Sequence, residues 1–111
     1  MDQENMKLTD EQQQQLLFMM LVQQHEQIGM MGLGKIKDPS NDTISKDLNA
    51  TKYAIDTLKM LEAFTKGNLN NEMKSYLQHV LNTLRLNYVD EVEASKKAPA
   101  VDESASEKSE E

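Results

Sequence analysis

Residues 51–90 read TKYAIDTLKMLEAFTKGNLNNEMKSYLQHVLNTLRLNYVD, and the spacing of apolar side chains within them decides the fold class. In the first half Ala54, Ile55, Leu58 and Leu61, with Leu48 and Ala50 just upstream, recur at three- and four-residue intervals. That period belongs to a helix with one apolar sector. Tyr53, Met60 and Phe64 widen the sector to an arc of about 220° at helical spacing, and Lys52, Asp56, Lys59 and Lys66 line the remaining polar side. The second half is cleaner. Met73, Tyr76, Leu77, Val80, Leu81, Leu84 and Tyr88 form one stripe, Gln78, His79 and Asn82 face away, and Leu86 is the one large apolar residue off the stripe.

The ends of these helices carry their own signals. Asp47 is the expected N-cap of the first, with Ser45 as an alternative, and Gly67 stands where a left-handed C-terminal cap belongs. Asn70 is a natural cap for the next helix, with Glu72 suited to the positive end of its dipole. The predicted helices therefore span about residues 47–66 and 71–92. So short a connection folds them back as an antiparallel hairpin.

Upstream, Thr9 followed three residues later by Gln12 is a capping-box pattern, and it opens a helix over about residues 10–31. Its apolar residues fall on two adjoining faces. Leu17, Met20, Leu21, Ile28 and Met31 share one, and Phe18, Val22, Gly29 and Gly32 the other. A helix apolar on two sides needs cover on two sides. In a chain of 111 residues the second cover is expected from another subunit, most simply through a two-fold dimer. Gly29, Gly32 and Gly34 lower helix propensity in turn and are expected to end the element. A loop with Pro39 and the turn formers Asp38, Ser40, Asn41 and Asp42 follows.

These residues resemble a small bacterial family catalogued as a domain of unknown function, number eighteen forty-four. The likeness covers about residues 18–90. It rests on Leu33-Gly34-Lys35-Ile36 after the first helix, a Pro-containing loop, and the Asp47-Leu48 helix start. Ile55-Asp56-Thr57-Leu58 with Leu61, then Thr65-Lys66-Gly67-Asn68-Leu69 (the most specific piece), and Leu84-Arg85 with Tyr88-Val89 complete it. Asn70-Asn71 departs from the Thr/Ser-plus-acid helix start of the pattern, although Asn caps equally well. The resemblance implies a small all-helical domain and supplies no reaction, ligand or site.

Composition narrows the function classes. The net charge of −7 sits mainly at the ends, because residues 16–92 hold nine acids and eight bases. Binding to nucleic acid rests on clustered Lys and Arg, which this chain lacks, so nucleic acid is not expected as a partner. There is no cysteine, which removes disulfide and thiol chemistry and suits the cytoplasm. The start of the chain is acidic and polar rather than signal-like. The longest apolar run, residues 16–22, is far short of the ~20 residues that cross a bilayer. The first helix also lacks the basic face of a peripheral membrane anchor.

Three motifs invite chemistry and each is incomplete. Gly29, Gly34 and Lys35 satisfy G-x-x-x-x-G-K, but Ile36 replaces the Ser or Thr that would hold Mg²⁺, and the motif closes a helix instead of opening one. Asp38, Ser40 and Asp42 alternate like a calcium loop, with Thr43 where the turn glycine belongs and Asn49 where the bidentate Glu would be. His25-Glu26 begins like a zinc-protease helix, but Gly29 stands where the second His is needed. No nucleophile, base and orienting group can be assembled from the remaining residues.

The chain therefore reads as an all-α domain of three helices over residues 10–92, between a flexible N-terminus (1–9) and a disordered acidic tail (93–111). It is expected to be a non-enzymatic interaction or oligomerisation module in the bacterial cytoplasm, without cofactor, metal or catalytic residues. The alternatives are a nucleotide-binding protein using the segment from Gly29 to Lys35, or a peripheral membrane protein. The expected interface is Leu17, Met20, Leu21, Ile28, Met31, Tyr53, Met60 and Phe64. The expected structural turns and caps are Thr9, Gly34, Asp47, Gly67 and Asn70.

Overall fold

A computed structural model describes residues 7–97. Among them the regular structure is three helices, α1 (Asp10–Gly32), α2 (Leu48–Phe64) and α3 (Asn71–Lys97), with no strand. A lone antiparallel bridge between Asp38 and Thr43 pins the loop between α1 and α2. The all-α, three-helix class read from periodicity is the observed one.

Local chemistry sets the helix ends. At the start of α1 the Thr9 hydroxyl accepts from the Gln12 N–H at 3.0 Å, while the Gln12 side-chain oxygen accepts from the Thr9 N–H at 3.0 Å. Two orphan donors are thereby satisfied at once. The other end closes through Gly34, whose φ of +78° suits a residue without Cβ. The Gly34 N–H donates to the Met31 carbonyl and the Lys35 N–H to that of Met30, both at 2.9 Å, which is the pattern of a Schellman motif. Asp47 caps α2 through the Ala50 N–H, and Asn70 caps α3 through the Met73 N–H at 2.8 Å.

Two boundaries differ from expectation. α2 ends at Phe64 rather than near residue 66, with Thr65 as its C-cap, because the turn that Gly67 allows begins there. Residues 65–68 then form a turn closed by Asn68 N–H to Thr65 O, with Gly67 at φ +85°. α3 runs to Lys97, so residues 93–97 belong to the helix and not to the tail. Glu, Ala and Lys at these positions are good helix formers, and the lysines suit the negative end of the dipole. The remainder of the expected tail, 98–111, and most of the expected flexible N-terminus, 1–6, lie outside the described residues.

The core is one cluster. Val22, Leu33, Ala54, Leu58, Leu77, Val80, Leu81 and Leu84 are fully or almost fully buried, and Ile55 joins them. Burying one such Leu or Val is worth about 1.5–3 kcal/mol. α2 and α3 supply most of this apolar mass, whereas α1 brings only Val22 from within its helix and Leu33 at its C-cap. The α1–α2 contact is nevertheless the most extensive in the fold.

Glycine explains the difference. Gly29 lies in the last turn of α1 and Gly32 is its final residue, as expected of glycines that close a helix, and both are also buried. A Cβ on Gly32 would stand 2.6 Å from the Asp47 carbonyl oxygen and 2.9 Å from the Thr51 N, and one on Gly29 would press into the Leu84 methyls at 2.7–2.9 Å. At Gly32 backbone therefore meets backbone and at Gly29 it meets the Leu84 side chain, and the cost of glycine in a helix, about 1 kcal/mol relative to Ala, is offset by close packing. Two long-range hydrogen bonds mark the approach. The Asp47 N–H donates to Gly32 O at 2.8 Å, and the buried Thr51 hydroxyl donates to Gly29 O at 2.9 Å.

Polar contacts tie α3 to the rest. Lys46 pairs with Glu91 at 2.6 Å, and Gln78 donates to Glu62 at 3.4 Å. The start of α2 thus lies beside the late part of α3, and its end beside the early part, an order compatible with an antiparallel hairpin. The Tyr76 hydroxyl donates to Glu26 of α1 at 3.4 Å. Burial, then the Glu26 charge, pushes that phenol above its ordinary pKa.

Candidate interaction surface

Three contacts set the register of α1 against α2: Gly32 with Asp47, Gly29 with Thr51, and His25 with Tyr53, whose rings lie 5.8 Å apart. Numbers fall along α1 as they rise along α2, so the two helices run in opposite directions. Extended at 1.5 Å per residue, this register brings the part of α1 around Leu21 and Leu17 alongside the stretch of α2 from Thr57 to Phe64.

The inward face of α1 is Val22, His25, Gly29 and Gly32, with Phe18 half-buried against the core. The other apolar face stays open. Leu17 is 57% exposed and Met20 52%, and Leu21 is exposed as well. Ile28 and Met31, placed on the same flank by helical spacing, are half-buried. Ile28 packs against the core, and both line a crevice with Ile36, Asp47 and Ala50. On α2, Tyr53 is 58% exposed and Phe64 80%, and Met60 is exposed.

Helical geometry joins these residues into one strip. On α2 the side turned toward α3 carries Ile55 and Glu62, and Tyr53, Met60 and Phe64 lie on the opposite flank. On α1 the side turned toward α3 carries Glu26, and Leu17, Leu21 and Ile28 lie on the opposite flank. Both open flanks border the α1–α2 seam on the side away from α3. Leu16, also exposed, lies about 100° round the helix from Leu17 and falls outside the strip. A shallow groove lined by Leu17, Met20, Leu21, Gln23, Gln24 and Gln27 runs along the α1 part, and another lined by Asn49, Lys52, Tyr53, Asp56 and Met60 along α2.

His25 anchors the seam from beneath. It is 7% exposed, and its Nδ1 lies 2.9 Å from the Leu21 carbonyl, so the tautomer with hydrogen on Nδ1 donates within its own helix. Thr51, buried and bonded to Gly29 O, is the seam residue that sequence reasoning missed. It lies three residues after Leu48 and four before Ile55, on the same helical face, and that spacing was the available signal.

The incomplete motifs resolve into structure. The segment from Gly29 to Lys35 is a helix C-terminus, where the N–H groups of Leu33, Gly34 and Lys35 are taken by carbonyls of the preceding turns. The dipole there is negative and repels phosphate, the reverse of a phosphate-binding loop. In the loop, Asp38 Oδ1 accepts from both the N–H and the hydroxyl of Ser40, and Asn41 Oδ1 accepts likewise from Thr43. The Ser40 hydrogen bonds hold the Asp38 carboxyl below its ordinary pKa. These oxygens serve local turns.

No helix among the described residues is long and apolar enough to cross a membrane. Comparison with known proteins adds one family. No curated protein matches the chain, and no solved structure matches it. The family model described as Domain of unknown function (DUF1844) matches residues 15–91. That span runs from the last glutamine before the exposed leucines to the Glu91 that pairs with Lys46. It covers well over half of the chain and takes in both the core and the open strip, so the protein belongs to the DUF1844 family.

Proposed function

We propose that this chain is a non-enzymatic interaction module of the bacterial cytoplasm, working through the apolar strip along the α1–α2 seam. One observation carries the proposal. Leu17, Met20 and Leu21 of α1 and Tyr53, Met60 and Phe64 of α2 are exposed, and helical spacing puts them on the two flanks that border one seam. Single exposed leucines are ordinary, but soluble monomers rarely leave a contiguous apolar surface of more than a few hundred Å² without a use for it. At roughly 200 Å² for a large side chain, the exposed fractions of Leu17, Met20, Leu21, Tyr53, Met60 and Phe64 amount to about 650 Å². Methionine at two of these positions suits a surface that adapts to what it binds.

The test is site-specific photo-crosslinking in the native cell, with a benzophenone side chain placed in turn at Leu17, at Met60 and at the exposed Asn82 of α3. Discrete protein adducts at Leu17 and Met60 but not at Asn82 are the expected result. Adducts absent from Leu17 and Met60, or equal at all three positions, would overturn the assignment.

A further inference from the structure

Building on the α1–α2 strip as a protein-binding face, we infer that its occupant is a second copy of this chain, docked across a two-fold axis that passes close to Leu17, Met20 and Leu21. Charge points to a copy over an unrelated protein. The net charge is −7, so two copies repel over most orientations. In a two-fold contact each patch meets itself, and a formal charge near the axis faces its own duplicate. A self-docking face therefore has to be uncharged.

This one is. From Gln12 to Gln24 there is no formal charge, although 28% of the chain is charged. The exposed polar residues beside Leu17, Met20 and Leu21 are Gln23, Gln24 and Gln27. An amide carries donor and acceptor together and can pair with its own copy, which a carboxylate or an ammonium cannot do. The charged residues at the α2 edge of the strip, Lys52 and Asp56, satisfy each other at 2.8 Å and offer no unpaired charge to an oppositely charged partner.

Area agrees with the occupant. The roughly 650 Å² of exposed apolar side chain approaches the ~800 Å² that each partner contributes to a stable specific interface. The strip is also two helices wide. A two-fold operation that lays α1 on α1 brings the α2 edge of each copy, with Met60 and Phe64, over the outer rim of its partner's α1. The apolar part of each strip is then covered without a third component.

The absence of cysteine allows a position-specific test on the full chain. Sedimentation equilibrium on the wild type, at protein concentrations from about 1 to 100 µM, is expected to show a reversible monomer–dimer equilibrium. Leu17→Glu and, on the other helix, Met60→Glu should each raise the dimer Kd by roughly 30-fold or more, with helical circular dichroism unchanged. A short bis-maleimide should join Gln24→Cys into a covalent dimer and leave Asn82→Cys monomeric. A wild type that is monomeric throughout overturns the second copy as occupant, and leaves the strip to a different protein. A dimer that ignores both glutamates and cross-links through Asn82→Cys overturns this docking geometry and the strip as binding face together.

Discussion

The two flanks of α1 have opposite composition and opposite fates. The inner flank is Val22, His25, Gly29 and Gly32, one modest aliphatic, one imidazole and two glycines, and all four are buried. The outer flank begins with Leu17, Met20 and Leu21, far more apolar, and these are exposed. Hydrophobicity alone would turn the helix over. What holds it is distance. Without Cβ atoms at 29 and 32 the α1 backbone comes close enough for Gly32 O to accept from the Asp47 N–H and Gly29 O from the Thr51 hydroxyl, and dispersion over the closely packed atoms joins these two hydrogen bonds. The outer flank has no such complement among the described residues, and its large side chains are exposed there.

The comparison can be broken first from the side of α3. Leu84 is fully buried over Gly29, so Leu84→Ala should cost about 2–5 kcal/mol, seen as a lower urea midpoint with an unchanged slope. A methyl on the inner flank is the next largest perturbation. Gly32→Ala places it against the backbone of Asp47 and Thr51, which cannot rotate away, and about 1–3 kcal/mol of destabilisation is expected from overpacking despite the better helix propensity of Ala. Thr51→Val keeps the shape and removes the hydroxyl from Gly29 O. Because that carbonyl also accepts the Leu33 N–H, the loss should be about 1 kcal/mol, measured by the same titration.

A pH titration tests the clasp that holds the start of the α2 region to α3. The hydrogen bond from Lys46, joined by the positive charge of the same residue, holds the Glu91 carboxyl below its ordinary pKa. A group depressed on folding stabilises the fold above its unfolded pKa and loses that contribution as pH falls through the folded value. The effect is therefore present at neutral pH and fades below the unfolded glutamate value of about 4.3. Thermal melts of Glu91→Gln should accordingly start lower than wild type at pH 7 and lose less between pH 5 and pH 3. The smallest effect belongs to the outer flank. Leu17→Gln should change stability by no more than about 0.5 kcal/mol in dilute solution, and any larger change that grows with protein concentration would mark the loss of association.

Much of the fold was readable because the relevant signals are local. The Thr9–Gln12 capping box, the Asp47 and Asn70 caps and the left-handed glycines at 34 and 67 act within one turn, so spacing suffices to find them. The stripe from Met73 to Tyr88 was readable because α3 has one sided burial. The glycines at 29 and 32 were read only as part of the helix ending, which they are; their packing role was not legible, since propensity describes an isolated helix and contains no neighbour for a missing Cβ to admit. Thr51 was overlooked for the same reason: a hydroxyl on an apolar face has meaning only once the Gly29 carbonyl is opposite it. The extra turn and more of α3 at residues 93–97 was missed because a polar composition suited to disorder is also rich in helix formers, and a preceding helix can propagate into it without a new nucleus.

The candidate surface was partly legible. An apolar arc wider than one neighbour can cover, on α1 and again on α2, already indicated that some of it would stay open. Period alone placed Leu17, Met20 and Leu21 together, and Tyr53, Met60 and Phe64 together. It did not say which arc of either helix would turn inward, or that the two open flanks would lie side by side. Those choices depend on how closely two backbones can approach at Gly29 and Gly32, a property of paired elements in three dimensions that no single helix contains.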